Sequence, residues 1–159
     1  MTGKNLAKLA VSIAVPQAVG GLGALVTNPA VSGWYQELDK PGFTPPSWVF
    51  GPVWTLLYLL MGISLYLVWK QGTDKEGVPT AMVLFGVHLA LNFLWSAIFF
   101  GMKSPGAAFA EIILLWSMIL LIIWKFSKIH KWSAYLLIPY ILWVTYAAAL
   151  NYSIWNLNN

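Results

Sequence analysis

The sequence predicts an all-α integral membrane protein, a bundle of five transmembrane helices with a lid-like first loop. Of its 159 residues, 59% are hydrophobic and only 9% are charged, a composition far from that of soluble domains. Five apolar runs are each long enough to cross about 30 Å of hydrocarbon. Between the first two lies a segment dense in proline and tryptophan, WYQELDKPGFTPPSWVFGPVWTLLY, at residues 34–58. Because this segment is stiff and aromatic, we predict that it forms a lid over a ligand site.

The predicted elements follow one another along a single domain, residues 1–159. The helices are expected at about 5–27, 47–70, 79–101, 105–126 and 133–156, and the lid loop at 28–46. A signal peptide is the alternative for the first run, but that run is longer than the apolar part of a signal peptide. The later connections are short, so successive helices should be antiparallel neighbours.

The lysines give the expected orientation, because short loops rich in lysine stay on the cytoplasmic side. One face carries seven lysines (Lys4, Lys8, Lys70, Lys75, Lys125, Lys128 and Lys131) and the other carries Lys40 and Lys103. We therefore expect a multi-pass protein of a bacterial cell membrane, with a cytoplasmic amino terminus and an external carboxyl terminus.

Composition also excludes several classes of function. All nine basic residues are lysines, so the guanidinium groups that grip phosphate and read base edges are absent and nucleic acid is not an expected partner. The absence of cysteine rules out thiolate metal sites and cysteine nucleophiles. The sequence shows no catalytic triad, paired carboxylates or phosphate-binding loop, and we predict no metal site.

Polar and aromatic residues of four helices fall at one predicted depth. At 1.5 Å per residue, Trp54, Asn92, Trp95, Glu111 and Asn151 all lie roughly 7 to 14 Å below the outer face. If they point inward, they form an aromatic cavity with a few polar groups, as is typical of small-molecule sites. Glu111 is an intramembrane acid and hence a functional candidate, although a structural role is equally compatible with its shallow depth.

A second set of aromatic residues lies deeper and is expected to form the cavity floor. Tyr58, Tyr140, Trp143 and Tyr146 fall about 15 to 24 Å from the same face. The alternative for tryptophan in a membrane protein is the interfacial belt, but Trp54, Trp95 and Trp143 lie too far inside for that. His88 stands alone at mid-span, so a hydrogen-bonded structural histidine is expected there rather than a haem ligand.

Small residues on the third helix predict close helix packing. Gly86, Ala90, Ala97 and Gly101 are spaced so that another helix can approach closely. The partner helix could belong to the same chain or to a second copy. We predict a homodimer with this stripe as its seam.

The segment quoted above, with LNFLWSAIFFG and LLIPYILWVTYAAALNYSIWN, resembles the TspO/MBR family of tryptophan-rich sensory and translocator proteins along nearly the whole chain. The resemblance implies a five-helix bundle, commonly homodimeric, whose first loop closes over a cavity. Family members bind porphyrins, haem and related tetrapyrroles as ligands rather than cofactors. They also bind isoquinoline carboxamide and benzodiazepine drugs and, in mitochondrial relatives, sterols.

The resemblance also implies individual site residues. The positions matching the family's pocket are Tyr35, Pro45, Trp54, Asn92, Trp95, Trp143, Ala147 and Asn151. Some bacterial members degrade protoporphyrin in light, and the tryptophans matching that activity are Trp54 and Trp143. The sterol motif of helix five has a basic residue after a tyrosine, but none follows Tyr152 here, which argues against sterol recognition by that motif.

Three functions are therefore expected to compete. The leading one is a membrane receptor or binding protein for tetrapyrroles, with a regulatory role in tetrapyrrole homeostasis or stress. The second is a transporter of porphyrin or sterol, which needs a route to the opposite membrane face. The third is a light-dependent enzyme that degrades porphyrin, which differs from a binding protein only in requiring turnover.

Overall fold

The structure, a computed structural model, describes residues 3–159, so residues 1 and 2 of the predicted domain lie outside it. Within this range five helical segments are long and apolar enough to cross a membrane, and there is no β-strand. The predicted all-α five-helix membrane fold is confirmed. The helices are α1 (Gly3–Ser32), α2 (Trp34–Glu37), α3 (Phe50–Trp69), α4 (Val78–Ser96), α5 (Pro105–Ile129), α6 (Lys131–Tyr135) and α7 (Ile138–Leu157).

Two short segments extend these helices. A 3₁₀ turn, Ser47–Val49, leads into α3, and a π-helical turn, Ala97–Gly101, continues α4. The lid segment, residues 33–46, lies at the end of the bundle where α1 and α7 finish and α3 begins. We call this the lid end and the opposite end the far end.

The lid is shorter than predicted, because residues 28–32 belong to α1 rather than to a loop. Ala30 is buried there, so the last turn of α1 is fixed by packing. The Ser32 hydroxyl donates to the carbonyls of Asn28 and Pro29 at 3.2 Å each, which satisfies acceptors that a helix end leaves free. Polar residues after an apolar run therefore prolong the helix here instead of ending it.

The other boundaries also differ slightly from the prediction. Helix α5 continues to Ile129 instead of ending near 126, and Ser127 donates to the carbonyl of Trp124 at 2.7 Å within its last turns. The predicted run 133–156 is divided into α6 and α7. Pro139 lies in the first turn of α7, the position where a missing N–H group costs least.

The hydrophobic core lies between α3, α4, α5 and α7, with α6 closing its far end. Its fully buried side chains include Met61, Val68, Val78, Phe126 and Tyr140. The phenyl rings of Phe85 and Phe126 stack there with centroids 5.9 Å apart. The far half of the bundle is thus filled by interlocking apolar side chains.

Helix α1 lies outside this core and packs mainly on α3. A Cβ atom at Gly62 would lie 2.7 Å from the Ile13 Cα, so only glycine lets the two backbones meet there. At the next contact toward the lid end, Gly20 lies directly against the ring of Tyr58. This agrees with the close helix packing that small residues favour. Beyond Gly20, residues of both α1 and α3 line a cavity.

Candidate ligand-binding site

A cavity of about 360 Å³ lies beneath the lid. Its wall is built by α1, α3, α4 with the π-helical turn, and α7, and Tyr35 of α2 covers it. The largest side chains in the wall are Tyr35, Phe50, Trp54, Tyr58, Trp95, Phe99, Phe100 and Trp143. A concave site lined mainly by aromatic groups fits a flat, apolar ligand.

Neighbouring rings fix each of the three indoles in the wall. Trp54 stacks on Tyr58 with centroids 5.6 Å apart and 29° between the planes. Trp95 stacks on Phe99 at 5.3 Å and 27°. Trp143 meets Phe50 edge to face at 6.1 Å. Because each ring is already held, a ligand that stacks on these surfaces pays little to order them.

A buried hydrogen-bonded chain supports the cavity floor. The Tyr58 hydroxyl donates to Asn92 Oδ1 at 2.5 Å, and Asn92 Nδ2 donates to the Tyr140 hydroxyl oxygen at 3.0 Å. Asn92 and Tyr140 are buried behind the wall rather than part of it. They position Tyr58, and through its ring Trp54, instead of facing the cavity.

A second polar pair joins three helices at the side of the cavity. The Trp95 indole N–H donates to Asn151 Oδ1 at 3.0 Å, and Asn151 Nδ2 donates to the Pro105 carbonyl at 2.7 Å. Asn151 is buried and forms part of the wall. Since both ends of its amide are used, it holds α4, α5 and α7 together and orients Trp95.

The cavity wall is electrically neutral. None of the described residues that line it is charged, and none is histidine, cysteine or methionine. Burial and the nearby Tyr146 raise the pKa of Tyr35 from 10.0 to about 12, so this hydroxyl stays protonated at neutral pH. Among residues 3–159 no group of three or more histidine, aspartate or glutamate side chains could hold a metal ion. The wall therefore offers a flat ligand stacking surfaces and no strong ligand for its metal.

The lid is fastened to α7 at two points. The Asp39 backbone N–H donates to Asn158 Oδ1 and the Asn158 amide donates back to the Asp39 carbonyl, both at 2.9 Å. Farther along the lid, the Tyr146 hydroxyl donates to the Phe43 carbonyl at 2.5 Å. Tyr35 itself is only 3% exposed. The lid is therefore held against α7, and its residue Tyr35 covers the cavity at the lid end.

Lys40 organises the lid internally. Its ammonium group donates to the carbonyls of Tyr35 at 2.7 Å and Leu38 at 2.9 Å, and it lies 4.9 Å from the centroid of the Tyr35 ring. These contacts cap the single turn of α2, whose carbonyls would otherwise lack partners. Lys40 therefore keeps Tyr35 over the cavity.

The structure brings most of the predicted cavity residues into one wall and leaves five outside it. Those in the wall are Tyr35, Trp54, Tyr58, Trp95, Trp143, Ala147 and Asn151. Those outside it are Pro45, Asn92, Glu111, Tyr140 and Tyr146. Pro45 is half-buried within the lid, and Tyr146 contacts the lid through Phe43. Ligand binding by any of them stays a prediction.

Glu111 does not join the cavity, contrary to the expectation from its depth. It lies on α5, none of whose residues lines the cavity. The side chain is buried, and neither carboxylate oxygen has a hydrogen-bond partner within the described chain. Depth along a helix fixes the height of a residue but not the direction in which it points, and α5 lies behind α4 and α7.

His88 has one hydrogen-bonded ring nitrogen, and its Nε2 is buried without a partner within the described chain. It is buried, and its Nδ1 lies 2.7 Å from the Phe85 carbonyl oxygen one turn earlier. Its ring packs edge to face on Tyr140, with centroids 5.6 Å apart. It is separated from the cavity by the chain of Tyr58, Asn92 and Tyr140.

Sequence reasoning missed the contribution of α1. This helix provides a third of the wall, including Gln17, Gly20, Gly21, Thr27 and Asn28. The available signal was Gln17, an amide within an apolar run, followed by a glycine-rich stretch that leaves space where large side chains would fill it. Read together, these residues predict a helix that faces a cavity.

The predicted dimer stripe lies partly on the outside of the bundle and partly against α1. Gly86 and Ala90 are exposed on the outside of α4, and a Cβ atom at Gly86 would meet nothing within 4 Å. A Cβ atom at Gly101, however, would lie 3.2 Å from Val26 of α1. Part of the stripe therefore packs within the chain, and only the Gly86 end is free for a second copy.

Comparison with known proteins agrees with this architecture. The sequence model of the TspO/MBR family matches residues 12–156. This chain belongs to the TspO/MBR family. It is 43% identical to the tryptophan-rich protein TspO of Chlorobaculum tepidum over 98% of both chains. It is 38% identical to the human translocator protein over 87% of this chain and 85% of the human one. Membership supports a ligand-binding role in the membrane.

A third relative is similar over nearly its whole length. The tryptophan-rich protein TspO of Archaeoglobus fulgidus is 43% identical over 97% of this chain and 99% of its own length. In this TspO/MBR chain the matched residues 12–156 include every residue found to line the cavity. The family likeness and the cavity therefore concern the same part of the molecule.

Proposed function

We propose that this protein is a membrane receptor that binds porphyrins and related tetrapyrroles in the cavity beneath the lid, and that it helps to regulate their levels. The observation that carries the proposal is the neutral wall in which Trp54, Trp95 and Trp143, from three helices, face one space. A flat conjugated ring stacks well on indole. The described wall has no histidine, cysteine or methionine, which suits metal-free and iron-containing rings equally.

The size of the cavity suits drug-sized ligands better than whole tetrapyrrole rings. Its volume of about 360 Å³ lies near the lower end of the range of about 300 to 1,000 Å³ for drug-sized ligands. This volume suits drug-sized ligands such as isoquinoline carboxamides or benzodiazepines. A tetrapyrrole is broader, so part of its ring must extend into an opening of the wall.

Transport is supported less well than binding. A carrier needs a path from the cavity to the far end, but that half of the bundle is filled by Val68, Val78, Ala81 and Phe126, each fully buried. Uptake of porphyrin into sealed proteoliposomes tests this alternative directly. Protein-dependent accumulation inside the vesicles would favour the transporter.

The decisive experiment is a titration of the purified protein with protoporphyrin in the dark, followed through quenching of tryptophan fluorescence. We expect saturable quenching at one site per chain. Quenching that rises linearly without saturation would reject the cavity as a porphyrin site. The same titration with haem should give a similar affinity, because the described part of the wall holds no histidine, cysteine or methionine to ligate the iron.

Light-dependent degradation is the second candidate, since Trp54 and Trp143 both belong to the wall. Illumination of the complex while recording pigment absorbance tests it. Trp54 and Trp143 should then be replaced together with phenylalanine, which keeps an aromatic stacking surface but removes the indole. Retained binding with lost bleaching would support an enzyme, and stable absorbance in the unmodified protein would leave a receptor.

We also propose a homodimer formed through the free part of the stripe around Gly86 and Ala90. Replacing both with leucine places branched side chains where a second helix must approach. We expect the dimer to dissociate in detergent, as measured by light scattering of the purified protein. An unchanged dimer would mean that another surface forms the interface.

The lysine distribution supports an amino terminus in the cytoplasm of a bacterial cell, with the lid outside. Because the sequence contains no cysteine, single cysteines can be introduced in place of Lys75 or Lys103 and labelled with a membrane-impermeant reagent. Labelling of intact cells only at position 103 is expected. Labelling only at position 75 would reverse the orientation.

A further inference from the structure

The cavity is not enclosed equally on all sides. All the exposed residues in its wall lie on α1 and at the start of α3: Gly21, Asn28, Ser47, Gly51 and Thr55. The lining residues of α2, α4 and α7 are buried or half-buried. The cavity thus opens sideways through a slot between the facing edges of α1 and α3.

The slot extends into the depth of the membrane. Gly21 precedes the end of α1 at Ser32 by 11 residues, which corresponds to roughly 16 Å of helix. The lipid-facing residues next to the slot, Leu22, Leu25 and Leu56, are exposed. The inner part of the slot lies within the predicted span 5–27 and therefore faces hydrocarbon.

We propose that this slot is the lateral entrance through which a flat apolar ligand passes from the bilayer into the cavity, and that Gln17 is its gate. This inference rests on the proposed binding function and adds the route and the residue that controls it. The ligand class is one that partitions into the membrane, such as a metal-free porphyrin or another planar aromatic molecule.

Gln17 connects the two rims at the inner end of the slot. Its side-chain amide donates to the Thr55 carbonyl oxygen on α3 at 3.0 Å. An amide facing hydrocarbon without a partner is costly, so this bond holds α1 against α3 when the slot is closed. A ring that is wider than the open part of the slot must break this bond, and the bond therefore contributes to the barrier.

The rims leave space for a ring to pass. A Cβ atom at Gly21 or Gly51 would meet no heavy atom within 4 Å. Neutral hydrogen-bonding groups of Thr27, Asn28 and Ser47 stand nearby in the wall. They can pair with polar substituents at the ligand edge while its apolar part stacks inside.

Entry under the lid is less favourable. The lid is held to α7 by the paired hydrogen bonds of Asp39 and Asn158 and by the bond from Tyr146 to Phe43. Within the described chain, one side-chain hydrogen bond crosses the slot, from the Gln17 amide to the Thr55 carbonyl oxygen. Opening the slot therefore breaks fewer bonds and keeps the apolar ligand out of water.

The test is Gly21→Phe in liposomes that contain protoporphyrin, with association and dissociation followed by stopped-flow tryptophan quenching. A phenyl ring at this position narrows the entrance. We expect both rate constants to fall about ten-fold, which corresponds to about 1.4 kcal/mol of added barrier. Because Gly21 also borders the cavity wall, the equilibrium affinity is not the readout. An obstacle on the path slows association and dissociation together, whereas a lost binding contact speeds dissociation alone.

Ala18→Phe is the matched control. Ala18 is exposed on the same helix and is not part of the cavity wall, so its rates should equal those of the unmodified protein. If Gly21→Phe fails to fold, Gly51→Phe narrows the same entrance from α3. Gln17→Leu should act oppositely and raise both rate constants about two- to ten-fold, as the loss of one hydrogen bond predicts.

Three results would overturn the inference: unchanged rates in both glycine variants, a weaker affinity with an unchanged association rate, or acceleration by Asn158→Ala but not by Gln17→Leu. The second would make Gly21 a binding surface, and the third would place the entrance under the lid. If the unmodified protein shows no saturable quenching, the binding function itself fails. Saturable binding combined with any of these results rejects only the lateral entrance.

Discussion

The two ends of the bundle are built from the same long helices but are filled differently. At the far end, large apolar side chains interlock, and Val68, Val78, Ala81 and Phe126 are fully buried. At the lid end, aromatic side chains surround about 360 Å³ of space. The first arrangement gives stability and the second gives room for a ligand.

The difference arises from the side chains that each helix contributes. Helix α5 buries large residues such as Ile112, Ile119 and Phe126 at helical spacing. Helix α1 buries only Ser12, Pro16, Gly23 and Ala30, which are too small to fill the space beside α3. The cavity in this bundle therefore results from one helix that approaches closely at its far half. At its lid half the same helix turns its leucines outward and lines the space with smaller residues.

The largest effect that tests this comparison concerns stability. Phe126→Ala should lower the free energy of unfolding by about 3 kcal/mol or more, because its fully buried ring leaves a hole in dense packing. Phe100→Ala should cost less than half as much, since Phe100 is half-buried and already borders the cavity. Denaturant unfolding in mixed micelles measures both. Equal losses would mean that the two ends are packed alike.

The next effect concerns the wall of the cavity. Trp95→Phe keeps a ring beside Phe99 but removes the N–H donor and leaves Asn151 Oδ1 without its partner. We expect a loss of roughly 1 to 3 kcal/mol in stability, the cost of a buried unsatisfied acceptor, together with weaker porphyrin binding.

Trp116→Phe provides the control for that loss. The Trp116 indole donates to the Thr145 hydroxyl at 2.8 Å on the exposed outside of the bundle, far from the cavity wall. Trp116→Phe should lower the free energy of unfolding less than Trp95→Phe does, and it should leave the porphyrin affinity unchanged. An equal fall in affinity would show that the effect of Trp95 is not local.

The sequence predicted the spans well because hydrophobic length is a property of each segment alone. It also placed Trp54, Trp95 and Asn151 at one level, and the structure brings these three into one wall. The same arithmetic assigned Glu111 and Asn92 to the cavity, where they do not lie. Helices with apolar side chains on all faces give no periodic signal for the inward direction, so the rotation of each helix had to come from packing.

The lid could be predicted only in part for a similar reason. Its prolines and aromatics marked it as a stiff segment, but its fastening to Asn158 joins residues that are 119 positions apart. The contribution of α1 was missed because small residues carry no chemistry of their own. Their effect is the space that they leave, which depends on the neighbouring helix.

A smaller effect is expected from loosening the lid. Asn158→Ala removes both hydrogen bonds to the Asp39 backbone, each of which contributes about 0.5 to 1.5 kcal/mol. Hydrogen exchange of the Asp39 amide should accelerate by one to two orders of magnitude, while amides of the far-end core stay protected. Asn159→Ala, at the adjacent position, is the control. Unchanged exchange at Asp39 would show that the Tyr146 contact alone keeps the lid closed.

The smallest effect concerns Tyr35 and is confined to alkaline pH. Burial, aided by Tyr146, raises the pKa of Tyr35 to about 12, whereas the unfolded chain titrates near 10. Between these values the folded protein holds a proton that the unfolded chain has lost, so stability falls as pH rises from about 10 to about 12 and is unaffected below. Tyr35→Phe should remove this part of the pH dependence of stability, as measured by unfolding at several pH values. The same substitution should remove one tyrosine that ionises late in an absorbance titration of the folded protein at alkaline pH. A tyrosine that ionises near 10 in the folded protein, and that this substitution removes, would mean that the lid admits water to Tyr35 and does not seal the cavity.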